Sequence, residues 1–227
     1  MKSEPSFKIM VPFAAIYSLC LFLPTIDMLA TYTVNLWIFS FPFGVAALIF
    51  PAIYPLSDSI TEVYGKSVAF YIIAICYIAI ISLSFINNLL LSSANNHYLY
   101  DFMLKPSILT TIIGPIAYIL TSYINVKLIS KLKFKMRGKH FVIRSLFCSA
   151  LSEAVTSIIV LPVIFHDKGI HYITSLTTGT VLIKVLVTIP FVFIARFLVA
   201  AYRYVDDISN TVYNTNFILN KKLESSI

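Results

Sequence analysis

Charge is what this sequence has least of. Charged side chains make up 12% of its 227 residues, against roughly 25% in a soluble domain. So few cannot cover a globule in water, and the solvent for most of the chain is expected to be lipid. Cysteine is scarce too: Cys20, Cys76 and Cys148 stand singly inside apolar runs. An odd number placed there argues against a disulfide framework and reads as small polarizable packing residues. No G-x-x-x-x-G-K-[ST] stretch occurs, which excludes nucleotide binding by a P-loop. Neither a Ser-His-Asp pattern nor H-E-x-x-H is present, so the chain does not read as an enzyme. His97, His140, His166 and His171 fall in or beside loops. "HDKGIH" offers His166, Asp167 and His171 without a third helical ligand at metal spacing. Neither metal nor cofactor is expected. A secretory leader is not expected either, because the first apolar run lacks a small-residue cleavage site and a second run follows it.

Long apolar runs are what the chain does have. It is 59% hydrophobic, with a mean hydropathy of +0.87. Uncharged runs cover residues 9–26, 28–57, 67–96 and 106–126. Two more, 143–165 and 173–201, are interrupted by Glu153 and by Lys184 and Arg196. Spans of about 20 residues suit helices, whereas barrel strands are about 10 residues long and alternate. The expected fold is an all-α integral membrane protein, one domain of six transmembrane helices. These run over about 8–27, 40–57, 67–91, 105–129, 142–165 and 173–201, followed by a tail over 202–227. Basic residues cluster near the amino-terminus (Lys2, Lys8), at Lys66, between Lys127 and Arg144, and in the tail (Arg203, Lys221, Lys222). Only Lys105 and Lys168 fall in the opposite loops. Positive charge stays inside, so both termini are expected in the cytoplasm. The net charge of +7 then reflects topology and anionic headgroups. The expected partner is the lipid bilayer, not nucleic acid.

The second span, "FPFGVAALIFPAIYPLS", contains Pro42, Gly44, Pro51 and Pro55. Each interior proline frees a backbone carbonyl that protein or a water-lined cavity must satisfy. The span is either a kinked helix or a discontinuous one of the kind that forms binding sites in transporters. Asp58 and Glu62 follow at i, i+4, on one helical face. They are either headgroup-zone charges, with Lys66 as the partner of Glu62, or part of a site. Glu153 and Lys184 lie in the middle of the fifth and sixth spans, where an ionisable group costs at least about 2.5 kcal/mol. Counted back from the loop at 167–172, they reach similar depth, so a Glu153–Lys184 ion pair is geometrically open. Such a pair is either a purely structural one or part of a ligand site. Ser152, Thr156 and Ser157 surround Glu153, either as further hydrogen-bonding groups or as glue between helices.

"FPAIYPLSDSITEVYGK" resembles the signature of the queuosine precursor transporter family, also described as a vitamin uptake transporter family. The matching positions are Phe50, Pro51, Asp58, Glu62, Val63, Tyr64 and Gly65. "RSLFCSALSEAVTSIIV" is similar to the family's fifth-helix motif through Arg144 and Ser157, and "LIKVLVTIP" to its sixth-helix motif through Lys184. Where that family usually has glutamine and, three residues on, aspartate, this chain has Glu153 and Thr156. The resemblance implies a bacterial inner-membrane, multi-pass importer of 7-deazaguanines, such as 7-cyano-7-deazaguanine, for tRNA modification. It implies substrate binding by Asp58, Glu62, Ser157 and Lys184, to which the polar face of the fifth span adds Ser152, Glu153 and Thr156 as candidates. A carboxylate reads the amide and amine edge of such a ring with paired hydrogen bonds. Two alternatives stay open: a substrate-binding subunit for another vitamin-like heterocycle that borrows an external ATPase, and a non-transporting membrane scaffold. Self-association and the identity of any energising subunit are open as well.

Overall fold

The computed structural model describes residues 6–26, 31–36, 39–92 and 105–206. A helix α1 (Phe7–Ile26) leads to an antiparallel hairpin of β1 (Thr31–Leu36) and β2 (Phe39–Gly44), in register from Thr31↔Gly44 to Leu36↔Phe39. Two 3-10 turns, Val45–Leu48 and Phe50–Ala52, then pass into α2 (Ile53–Tyr64). Long helices α3 (Lys66–Ser92), α4 (Lys105–Lys135), α5 (Phe141–Ile164) and α6 (Ile170–Val205) complete the bundle. Four stretches in α3 to α6 are long and apolar enough to cross a membrane: Lys66–Leu83, Ile113–Lys135, Phe141–Ile164 and Ile170–Val205. Residues 93–104 and 207–227, which hold His97 and nearly all of the expected tail, lie outside the described residues.

The largest departure from expectation is the second span. Residues 40–57 do not form one helix, and the prolines explain why. Pro42 sits in β2, one strand of a two-stranded ribbon, where a missing N–H is tolerated. Pro51 stands in the first turn of its 3-10 segment. Pro55 is the third residue of α2, where the N–H has no intrahelical partner in any case. Each proline is therefore placed where no backbone donor is needed, at the cost of a continuous helix. What remains of it, α2, is 12 residues, about 18 Å long, too short for a hydrocarbon core of about 30 Å.

Every residue of α2 is buried. It is the axis around which α3, α4, α5 and α6 pack. Gly65, at φ 86°, ends it with an N–H bonded to the Thr61 carbonyl, and α3 starts at once. An L side chain rarely adopts that φ, so a glycine is required for so abrupt a reversal. On the other side, β2 lies against α6, where the Gly44 N–H donates to Thr180 Oγ1 at 3.1 Å. Gly179 permits the approach: a Cβ there would overlap the Pro42 carbonyl oxygen and stand 2.7 Å from Phe41 Cδ2.

The helices are inside out by the standards of a water-soluble bundle. On α5 the buried face carries Arg144, Ser145, Ser149, Ser152, Glu153 and Thr156, and the exposed face Ile143, Phe147, Leu151 and Ile158. Apolar packing concentrates between α1, α2 and α3, around Phe13, Tyr17, Ile53, Ile60, Ile72 and Tyr77. Polar packing concentrates between α2, α4, α5 and α6.

Candidate functional site

Polar side chains recur on α5 in pairs four residues apart: Arg144-Ser145, Ser149 beside Cys148, Ser152-Glu153 and Thr156-Ser157. With 3.6 residues per turn this spacing keeps them on one face. That face looks onto α2, which runs antiparallel to it, with α4 and α6 closing the sides. The result is a polar column inside the bundle, in three layers.

The first layer lies at the end where α2 stops and α6 finishes. Glu62 is held there by the Arg144 guanidinium through two bonds, Nη1 to Oε2 at 3.1 Å and Nη2 to Oε1 at 3.2 Å. Lys133 Nζ stands 3.8 Å from Oε1 and donates to the Glu62 backbone carbonyl at 2.6 Å. Arg203 adds a third cation at 3.7 Å. Beside this layer, Asp206 Oδ2 accepts from the Tyr64 hydroxyl at 2.8 Å and from the Ser6 N–H at 3.0 Å, tying α1, α2 and α6 together. Lys66 is exposed and has no bond to Glu62.

One turn inward, Asp58 is fully buried. Asn125 Nδ2 donates to its Oδ1 at 2.6 Å, and the Ser145 and Ser149 hydroxyls donate to Oδ2 at 2.7 and 3.3 Å. Both signature acids thus lie inside the bundle and bond to other helices rather than to Lys66.

The third layer lies near the middle of α5. Tyr54, Thr121 and Thr156 share a triangle of hydroxyls at 2.7 to 2.9 Å. Next to it, Thr188 donates to Glu153 Oε1 at 2.8 Å, and Lys184 Nζ donates to Ser157 Oγ at 3.0 Å. Glu153 and Lys184 do come to one depth, but they form no direct ion pair among the described residues; each turns to a hydroxyl instead. Glu153 Oε2 is buried with no hydrogen-bond partner. Lys184, with three donors, uses one on Ser157 and lies 5.5 Å above the Phe50 ring. It lines a small cavity of about 30 Å³ with Gly44, Phe50, Tyr118, Ser157 and Thr180. That is room for about two waters. Phe50 and Tyr118 are stacked at its wall with centroids 4.3 Å apart.

Of the residues expected from sequence, Lys184 and Ser157 line the cavity. Glu153 and Thr156 belong to the same layer without lining it, Ser152 bonds Asn125, and Asp58 and Glu62 lie farther along the column. Sequence reasoning passed over Asn125, Ser145, Ser149, Tyr54, Thr121 and Thr188. The four-residue rhythm of small polar residues on α5 would have found the serines, and Thr121 with Asn125 repeats it on α4. The free thiols of Cys76 and Cys148 are buried and Cys20 is half-buried. His140, His166 and His171 are exposed. Among the described residues no group of histidine, cysteine and acidic side chains is arranged to hold a metal.

No curated protein and no solved structure matches the chain. A family model described as "Putative vitamin uptake transporter" matches residues 44–198. That range holds more than half of the chain, from the end of β2 through most of α6, and takes in the polar layers except Arg203. Short proline-broken and long apolar helices, a buried polar column and the extent of this match agree: the chain belongs to the vitamin uptake transporter family.

Proposed function

We propose that the chain is a six-helix importer in a bacterial inner membrane, with both termini in the cytoplasm, and that its substrate is a 7-deazaguanine precursor of queuosine. The observation that carries this is the unequal satisfaction of Glu153 and Lys184. A structural pair would close on itself. Here one buried carboxylate oxygen of Glu153 is left over, and two ammonium donors of Lys184 are left over at an aromatic-walled cavity. A deazaguanine edge supplies what they lack: an amide N–H and an exocyclic amine to donate to Glu153, and a carbonyl to accept from Lys184. Phe50 and Tyr118 offer faces for the flat ring. Ser157 holds Lys184 in place, while Ser152 and Thr156 hold the neighbouring Asn125 and Tyr54. The cavity is too small for a bicyclic ring, so binding requires it to widen. Entry requires the hairpin and the 3-10 turns to move away from α6, while Glu62 and its cations close the cytoplasmic end. Asp58 and Glu62 then lie on the path of release rather than at the resting site.

The test is uptake of labelled 7-cyano-7-deazaguanine by cells unable to make it. Expression of the chain is expected to restore uptake, and Glu153→Gln or Lys184→Met to remove it. Unrestored uptake with the protein present in the membrane would overturn the substrate assignment.

A further inference from the structure

Asp58 and Glu62 stand one turn apart on the same helix, and their partners differ in kind. The side-chain partners of Glu62 are Arg144, Lys133 and Arg203. Guanidinium and ammonium groups only donate, so they satisfy a carboxylate and oppose a neutral acid. Asp58 is surrounded by Ser145, Ser149 and Asn125. A hydroxyl both donates and accepts and turns freely about its C–O bond. With Asp58 ionised, both serines donate to Oδ2. With a proton on Oδ2, the acid donates to Ser145 Oγ, 2.7 Å away. The serine hydrogen then turns to the carbonyl one helical turn back, a common resting partner for serine in a helix. Asn125 keeps its bond to Oδ1 in both states. The cage therefore fits both forms by rotating a hydrogen, with no heavy atom displaced.

The charged groups nearby do not remove this freedom. On α2 there is Glu62 itself, neutralised by its own cations. On α5 there are Arg144, the buried Cys148 thiol and, farther in, Glu153; α4 contributes Lys133. On α6 there are Lys184, Tyr202 and Arg203, and α1 and α3 bring only the buried Tyr17, Cys76 and Tyr77. Among the described residues no cation bonds Asp58, and a buried carboxylate without a counter-ion is costly to keep ionised. Through Ser152 the cage adjoins the hydroxyl layer of Thr156. Ser152 Oγ donates to Asn125 Oδ1 at 3.3 Å, and Thr156 Oγ1 donates to the Ser152 carbonyl at 2.7 Å.

We infer that Asp58 is the proton-carrying group of this transporter, and that import of the ring is driven by proton entry through it. The acid forms its O–H bond with a proton from the outer side. On the cytoplasmic side that bond breaks, the electron pair stays on Oδ2, and the proton leaves to water. This rests on the import proposed above, and the experiment has two arms so that the two can fail separately.

The first arm needs no substrate. Infrared spectra of the purified full chain in detergent are recorded as pH is raised, for wild type, Asp58→Asn and Glu62→Gln. A carboxylic-acid carbonyl band is expected that bleaches with rising pH, is missing in Asp58→Asn and persists in Glu62→Gln. Absence of any Asp58-dependent band while the protein stays folded overturns the inference. The second arm uses vesicles and labelled 7-cyano-7-deazaguanine. An inside-alkaline pH gradient is expected to drive accumulation by wild type. Asp58→Asn should lose accumulation at least tenfold, and what remains should no longer respond to the pH gradient. Accumulation driven by a sodium gradient and indifferent to pH overturns proton coupling. No movement of the ring under any gradient counts against the substrate assignment alone, and the infrared band then decides the role of Asp58.

Discussion

Glu62 and Asp58 share a helix face, a depth of burial and a charge type, yet replacing them should have different consequences. Glu62→Gln leaves the buried Arg144 and Lys133 without their carboxylate. Breaking a buried pair from one side costs about 3–5 kcal/mol, so a marked fall in thermal unfolding temperature is expected in detergent. Asp58→Asn exchanges one hydrogen-bonding group for another among hydroxyls that can reverse, and should cost about 1 kcal/mol. Equal destabilisation by the two would contradict the division drawn between them. A similar test separates structure from binding at Glu153 and Lys184. In a purely structural pair, Glu153→Gln together with Lys184→Met restores both stability and uptake. With one oxygen unpartnered and the ammonium facing a cavity, the double variant is expected to fold and stay inactive. Full uptake by the double variant would sink the site.

At the level of elements, the contact of β2 with α6 is decided by one missing methyl. Gly179→Ala places a Cβ against the Pro42 carbonyl and Phe41. Overpacking of this kind costs about 1–3 kcal/mol, and the hairpin should be pushed off α6, with loss of the Gly44–Thr180 bond and of uptake. Gly169→Ala is the control: the space around Gly169 is open and its φ is −61°, so an effect within about 0.5 kcal/mol is expected. Stability and uptake of the two variants, measured together, check this. At the opposite end, Asp206 ties α1 and α2 to α6. Burial pushes its carboxyl up, but the Ser6 N–H and the Tyr64 hydroxyl outweigh it and hold the group below its ordinary value near 3.8. A depressed carboxylate contributes stability in full above its ordinary value, and that contribution is lost as pH falls through the lower, folded value. Faster hydrogen exchange at the Ser6 amide is therefore expected on acidification below 3.8, and at neutral pH in Asp206→Asn.

For the molecule as a whole, the layers give the bundle a direction. The triple-cation layer, the turn at 136–140 with Arg137 and Lys139, and the end of α6 gather at one pole, and the cavity lies in the other half. If basic residues stay inside, a reporter active only in the cytoplasm should work after Lys139 or Ile227 and fail after Asn96 or His171. Activity after Asn96 would overturn six crossings. A lone chain that accumulates its ring in vesicles would also dispose of both alternatives, the ATPase-dependent subunit and the scaffold.

Composition was enough to place the chain in lipid, because 12% charge cannot clothe a globule. Apolar run length was enough to place α3, α5 and α6 to within a few residues. The isolation of Glu153 and Lys184 inside apolar runs marked them before any coordinates. The second span was not legible: prolines announce a break, but whether the backbone then kinks, unwinds or pairs as a strand depends on what stands ready to cover it. Here that is Gly179 and Thr180 on α6, far along the chain. Nor did spacing reveal that Asp58 and Glu62 have opposite partners. An i, i+4 pair shares a face, but which groups meet each acid is set by α4, α5 and α6 arriving from far along the chain, as Arg144 does at Glu62 from 82 residues away. Periodicity is a property of one helix and survives in the sequence. Partnership is a property of several, and only their packing decides it.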